Sequence, residues 1–196
     1  MGSELCIRER FIDPIWWLFD AWIPIYLIDS FGFNVKELGL YAWVPYVGAM
    51  FGAWFGGLLA QNLLGKGWTV NKTRKFVITL GAAIMVPSLL AMSVASTPIL
   101  AVLIMATILF GFQTSIGNVQ TLPSDLYSKK AVGSLAGYAG TAAKLAAAGL
   151  VWLVPQLTEG GNYMPAFIIG VALAVLAVLS VWILIPKIEP LKPRGA

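Results

Sequence analysis

Histidine is absent from the 196-residue chain, and cysteine occurs once, as Cys6. The first absence excludes histidine metal sites and histidine proton relays; the second excludes an internal disulfide. Charge is scarce as well: 11% of residues are Asp, Glu, Lys or Arg, against about 25% in a soluble domain. A membrane enzyme needs a nucleophile with its base, or clustered metal ligands, at membrane depth. Scattered serines and one terminal cysteine supply neither, and nothing points to a metal or an organic cofactor. The net charge of +4 is no nucleic-acid signal, because the basic residues sit in short loops and at the ends. What is present in abundance is apolar: 59% hydrophobic residues and a mean hydropathy of +0.82 describe an all-α, multi-pass membrane protein.

A membrane helix takes about 20 mostly apolar residues. The first candidate, 11–30, holds two carboxylates, Asp13 and Asp20, and two prolines, Pro14 and Pro24. Such residues are poorly tolerated against lipid, so this helix is expected to face protein or a cavity. The second, 38–64, has no charge and carries the small-residue run Gly48 to Gly57, which lets helix backbones approach closely. After a basic loop, 65–75, come 49 residues (76–124) without Asp, Glu, Lys or Arg, too many for one span. Ser96-Thr97-Pro98 divides them into 76–95 and 98–121. A fifth span covers 132–154 and a sixth 165–185, followed by a basic tail. Glu4, Arg8, Glu9, Arg10 and Asp13 interrupt the start, so a cleavable leader is not expected.

Of 13 lysines and arginines, 11 fall on one side of this arrangement: Arg8, Arg10, Lys66, Lys72, Arg74, Lys75, Lys129, Lys130, Lys187, Lys192 and Arg194. Lys36 lies on the other side and Lys144 within a span. Positive loops stay inside, so both termini are expected in the cytoplasm, with the chain in the cell (inner) membrane.

Polar residues cluster between Gln113 and Lys144. Gln113, Asn118 and Gln120 are expected to share one broad helix face that offers hydrogen bonds to a solute, or else to neighbouring helices. Asp20 and Lys144 are the two charges deepest in the bilayer. At 1.5 Å per residue they lie ~14 Å above Phe11 and ~20 Å above Ala131. A lysine stem spans that difference, so an ion pair between them, or a charged site facing a cavity, is expected. An anionic solute would then compete for Lys144.

The stretches FIDPIWWLFDAWIPIYL (11–27), GLYAWVPYVGAMFGAWFGG (39–57), GWTVNKTRK (67–75) and GNVQTLPSDLYSKKAVGSLAGYAGTAA (117–143) resemble the C-terminal half of a major facilitator superfamily transporter. The resemblance is nearest to the anion:cation symporters, the hexuronate and aldonate permeases. It implies one half of that fold, six helices built as two inverted three-helix repeats, with the N-terminal six-helix half absent from these 196 residues. A fragment, a split gene product or a half-transporter that pairs with a second chain would each fit. The implied activity is symport of a small organic anion, a sugar acid, with H⁺ or another cation, by alternating access. A non-transporting membrane scaffold or partner subunit is the alternative.

The resemblance also implies substrate contacts. They are Trp16 and Trp17, whose rings would stack on a sugar face. Asp20, Gln113, Asn118, Tyr138, Thr141 and Lys144 are the further candidate contacts, and of these Asp20 and Lys144 depart from the apolar or small residues usual at those positions in the family. Trp22 and Tyr26 suit an interfacial belt better. Where the superfamily carries Asp-Arg in the loop after the second span, this chain has Gln61-Asn62. Lys72, Arg74 and Lys75 are therefore expected to serve orientation and lipid headgroups. Asp125 is expected to cap a helix or pair with Lys129, and Gly133, Gly137, Gly140 and Gly149 to be close-packing positions.

Overall fold

The computed structural model describes residues 2–126, 129–158 and 161–184; for 2–12, 126, 129–131, 135 and 184 it describes the backbone only. The basic tail with Lys187, Lys192 and Arg194 and the side chains of Arg8, Arg10, Lys129 and Lys130 therefore lie outside the described residues.

The described residues form eight α-helices: α1 Gly2–Phe31, α2 Val35–Tyr41, α3 Val44–Gly65, α4 Val70–Ala91, α5 Pro98–Gln120, α6 Leu122–Leu126, α7 Lys129–Leu157 and α8 Met164–Leu184. Local chemistry sets their ends. Gly32, at φ 68°, ends α1 in a left-handed residue, and the Phe33 amide reaches back to the Leu27 carbonyl. Asn34 and Glu37 cap each other at the start of α2, and Pro45 opens α3 just after the chain bends at Ala42–Trp43. Thr69 caps α4, and Thr97 with Pro98 caps α5 at the expected break.

Five stretches are long and apolar enough to cross a membrane: Val35–Gly65, Val70–Val94, Pro98–Asp125, Val132–Leu157 and Met164–Ile183. They overlap the second to sixth expected spans. These five are counted among the described residues, which leave out the side chains at the start of α1, where the first expected span begins.

The helices associate through small residues where backbones must meet. Gly48, Gly52 and Gly56, one per turn of α3, lie directly against the backbone of Ala106, Phe110 and Thr114 on α5. A Cβ on Gly56 would sit 2.7 Å from the Thr114 carbonyl oxygen. Gly81 of α4 and Gly111 of α5 oppose each other in the same manner. Two hydroxyls fasten these seams: Thr114 donates to the Gly52 carbonyl at 3.2 Å, and Ser115 to the Ile78 carbonyl at 3.0 Å. The run beginning at Gly48 thus packs as expected.

The glycines of α7 do not. A Cβ on Gly133, Gly137, Gly140 or Gly149 would meet nothing within 4 Å, which corrects their reading as packing positions. The residues of α7 buried beside them are Ala139, Ala143 and Ala147, spaced four apart, and α7 packs against α1. The glycines fall on the faces left open.

A continuous apolar core joins α1, α4, α5 and α8 around Ile23, Leu27, Met85, Leu89, Met105, Ile108 and Leu109. At the end away from the basic loop it closes with aromatic edges: Tyr26 against Phe31, Tyr163 and Phe167, and Trp22 against Tyr163. Trp22 and Tyr26 therefore pack inward and form no outer belt. The phenol of Tyr163 donates to Asp29 at 2.5 Å, tying the turn before α8 to α1. Burial first, then the Asp29 hydrogen bond and charge, push that phenol well above the usual tyrosine range.

Candidate functional site

α5 carries most of the polar residues and lines two clefts. The first, about 320 Å³, is bounded by Asp13 of α1, Ile116 and Gln120 of α5, Pro123 of α6, and Ala136, Gly140, Ala143 and Lys144 of α7. The second, about 330 Å³, is bounded by Ala53, Gly57, Ala60, Gln61 and Leu64 of α3, Arg74 of α4, Gln113, Gly117 and Asn118 of α5, and Thr121 just after it.

In the first cleft Lys144 donates to Asp13 Oδ2 at 2.9 Å, and its ammonium lies 4.4 Å from the centre of the Trp17 ring. The lysine side chain is 55% exposed, whereas the carboxylate is 19% exposed. The expected pair of Lys144 with Asp20 is corrected. Asp20 lies two helical turns beyond Asp13, ~10 Å along α1, and accepts instead from the Tyr46 hydroxyl at 3.0 Å. Depth counted along the sequence places Cα atoms only. A helical side chain leans toward the N-terminus of its own helix, so Lys144 reaches back to a shallower level of the parallel α1. The signal that finds Asp13 is spacing: Asp13, Trp17 and Asp20 stand at i, i+4 and i+7, on one stripe.

In the second cleft Arg74 is the central group. Its Nε donates to Asp125 Oδ2 at 2.9 Å and its Nη1 to Asn118 Oδ1 at 2.8 Å, while Asn118 Nδ2 donates to the Thr114 carbonyl at 3.3 Å. Arg74 is thus no simple headgroup ligand, and Asp125 is held by it; the expected partner of Asp125, Lys129, lies outside the described side chains. Arg74 and Asp125 clamp the start of α4 to the end of α5. Lys72 stacks over Trp68 at 4.1 Å, and Lys75, buried, lies 5.0 Å from the Trp182 ring centre. Both lie against aromatic rings, Lys72 on the exposed surface and Lys75 in the interior.

The expected shared face of Gln113, Asn118 and Gln120 holds for only two of the three. At 100° per residue Asn118 is about 140° away from Gln113, while Gln120 is only about 20° away. Asn118 is accordingly 3% exposed and occupied by the clamp; Gln120 is exposed and Gln113 half-buried. The reading of Asn118 as a free substrate contact is corrected to a structural one.

The other candidates separate. Trp17 lies under the Lys144 ammonium, 37% exposed, without lining the first cleft itself. Trp16 is half-buried between Tyr46 and Phe112, with ring centres 6.0 and 5.7 Å away. Tyr138 and Thr141 lie exposed on α7 and line neither of these two clefts; the Thr141 hydroxyl is turned back onto the Gly137 carbonyl at 2.9 Å. Among the described residues no three of Cys, Asp and Glu gather to hold a metal ion.

The chain is 32% identical over 187 residues to the hexuronate transporter of Escherichia coli (strain K12), covering 92% of this chain and 43% of that protein. It is 41% identical over 80 residues to the galacturonate transporter of Dickeya chrysanthemi (39% of this chain, 23% of that one). To the D-galactonate transporter of Escherichia coli O6:H1 it is 25% identical over 174 residues (88% and 40%). The chain therefore spans less than half the length of these relatives. The family model for the Major Facilitator Superfamily matches residues 12–150, which takes in the cleft residues from Asp13 to Lys144. This chain, with five helices able to cross a membrane among its described residues and the hexuronate-permease resemblance borne out, belongs to the Major Facilitator Superfamily.

Proposed function

We propose that the chain provides one six-helix bundle of a secondary transporter that carries a small organic anion, a sugar acid, by alternating access. The observation that carries this reading is a partly exposed lysine within a membrane span, set on a tryptophan ring beside an open cleft, in a chain similar over 92% of its length to a hexuronate transporter. A flat ring suits a sugar face and the ammonium suits a carboxylate.

The helix pairing supports the rest of the architecture. With α1 as the first of six spans, α1 packs on α7 and α3 on α5, while α4 and α8 pack on each other. Exchanging the first three spans for the last three turns the α1–α7 pairing into α5–α3 and returns α4–α8 to itself, as two inverted repeats require. The whole of 1–196 then forms one bundle, with both termini cytoplasmic by the distribution of lysine and arginine. The second bundle comes from a segment or chain matching the remaining length of the relatives. Trp16, Trp17, Asp20, Gln113, Tyr138, Thr141 and Lys144 face or flank the path between the bundles. Transport is coupled to H⁺ or another cation.

Proteoliposome uptake tests the reading. Labelled galacturonate should accumulate when the chain is reconstituted together with a complementary six-helix bundle, and more so under an inward proton gradient. Accumulation of neutral galactose in preference to galacturonate would sink the sugar-acid assignment. Absence of uptake with any complementary bundle would favour a scaffold.

A further inference from the structure

We infer that Asp13 is a resident counter-ion that holds the place of the substrate carboxylate on Lys144 and is displaced when substrate enters. The inference rests on the sugar-acid reading of the first cleft and says how an anion is recognised there.

An ammonium has three N–H donors and no acceptor. On Lys144 one donor is used by Asp13 at 2.9 Å, and the Trp17 ring covers a second direction at 4.4 Å. The remainder faces the cleft of about 320 Å³, where Gln120 supplies an amide within the same walls. The two ends of the pair differ in freedom. Asp13 sits on α1 with its side chain 19% exposed, whereas the flexible lysine is 55% exposed. A partly exposed ion pair shifts an equilibrium by no more than about fivefold. A second carboxylate can therefore take the lysine at little loss, provided the first one yields.

Both anions cannot stay on one ammonium at membrane depth, because that leaves a net negative charge where solvation is poor. Exchange keeps the site neutral; addition does not. Without substrate the same pairing keeps Lys144 from standing uncompensated within a span. A neutral sugar has no group able to replace Asp13, so the pair selects for the carboxylate before any hydroxyl is read.

The test is equilibrium binding of labelled galacturonate to the chain reconstituted with a complementary six-helix bundle in lipid nanodiscs, with galactose as the neutral probe. Four forms are compared: wild type, Asp13→Asn, Lys144→Gln and the double variant. The double variant removes both charges together and so guards against misfolding caused by one orphaned charge. Asp13→Asn should tighten galacturonate binding by about fivefold, the size expected for losing one partly exposed ionic competitor. Lys144→Gln should weaken it at least tenfold, and Asp13→Asn should give no gain once Lys144 is gone. Weaker or unchanged binding in Asp13→Asn overturns the exchange, as does an equal gain in the Lys144→Gln background, and both leave the sugar-acid reading standing. If none of the four forms binds galacturonate, both fall together.

Discussion

Replacing Gly52 with alanine adds one methyl group to the seam between α3 and α5, where the two backbones leave no room for it. The new Cβ would stand against the Phe110 carbonyl, with the Phe110 Cα 2.7 Å away and its carbonyl carbon 2.8 Å away. Ordinary contact begins at 3.4 Å, so clearing the Phe110 Cα alone separates the two backbones by about 0.7 Å, and clearing the nearer carbonyl oxygen takes more. A gap of 0.5–1 Å forfeits about a quarter to a half of each dispersion contact it opens. It also stretches the 3.2 Å hydrogen bond from Thr114 to the Gly52 carbonyl. Overpacking of this kind costs about 1–3 kcal/mol, more than the up to about 1 kcal/mol that alanine gains over glycine in a helix. Gly57 is the control, since a Cβ there meets nothing within 4 Å. Thermal unfolding in detergent, followed by tryptophan emission, should place Gly52→Ala about 2–10 °C below wild type. Gly57→Ala should be unchanged or slightly raised. Equal midpoints for the two variants would refute the argument, because only the seam distinguishes them.

Arg74→Ala should lower the midpoint more than Asn118→Ala, because it orphans the Asp125 carboxylate while Asn118→Ala removes only one of two contacts; the same melt compares them. Asp20→Asn should leave the Lys144–Trp17 geometry intact and disturb only Tyr46, so a Trp17-dependent emission change on adding galacturonate should survive it. Tyr163 supplies a pH dependence. Its folded pKa is raised from 10.0, so its contribution is complete below pH 10 and is lost as pH rises through the folded value. Wild type should therefore lose its stability advantage over Tyr163→Phe above pH 10, read as converging midpoints across an alkaline series.

Charge-free runs and proline breaks are enough to locate five spans to within a few residues, because the bilayer allows few alternatives to a helix about 20 residues long. The small-residue run of α3 is also legible, since glycines one turn apart can serve close approach and little else. Which glycines do so is not. Those of α7 are equally regular, yet they stand open, and only the position of α1 tells the two cases apart. The expectation for Asn118 fails on arithmetic available in the sequence, a rotation of about 140° from Gln113. Its occupation by Arg74 is beyond reach, since it joins residues 44 positions apart.

The charged residues show how far one rule carries. Lys144 is legible as an anomaly because a lysine within a span must be answered. Two carboxylates on α1 lie within reach of a flexible stem, and sequence depth favours the wrong one. The choice is made by side-chain direction and by Tyr46, which arrives from α3 to take Asp20. Each carboxylate of α1 with a described partner is thus held by a different element: Asp13 by α7, Asp20 by α3 and Asp29 by the turn before α8. Two of the three partners are neutral phenols, which donate a hydrogen bond without cancelling the charge. Asp13 alone is matched with a cation, and that pair alone lines the open cleft. On the proposed reading, a helix that gives up apolar surface to three aspartates sets one of them where an incoming anion has something to replace.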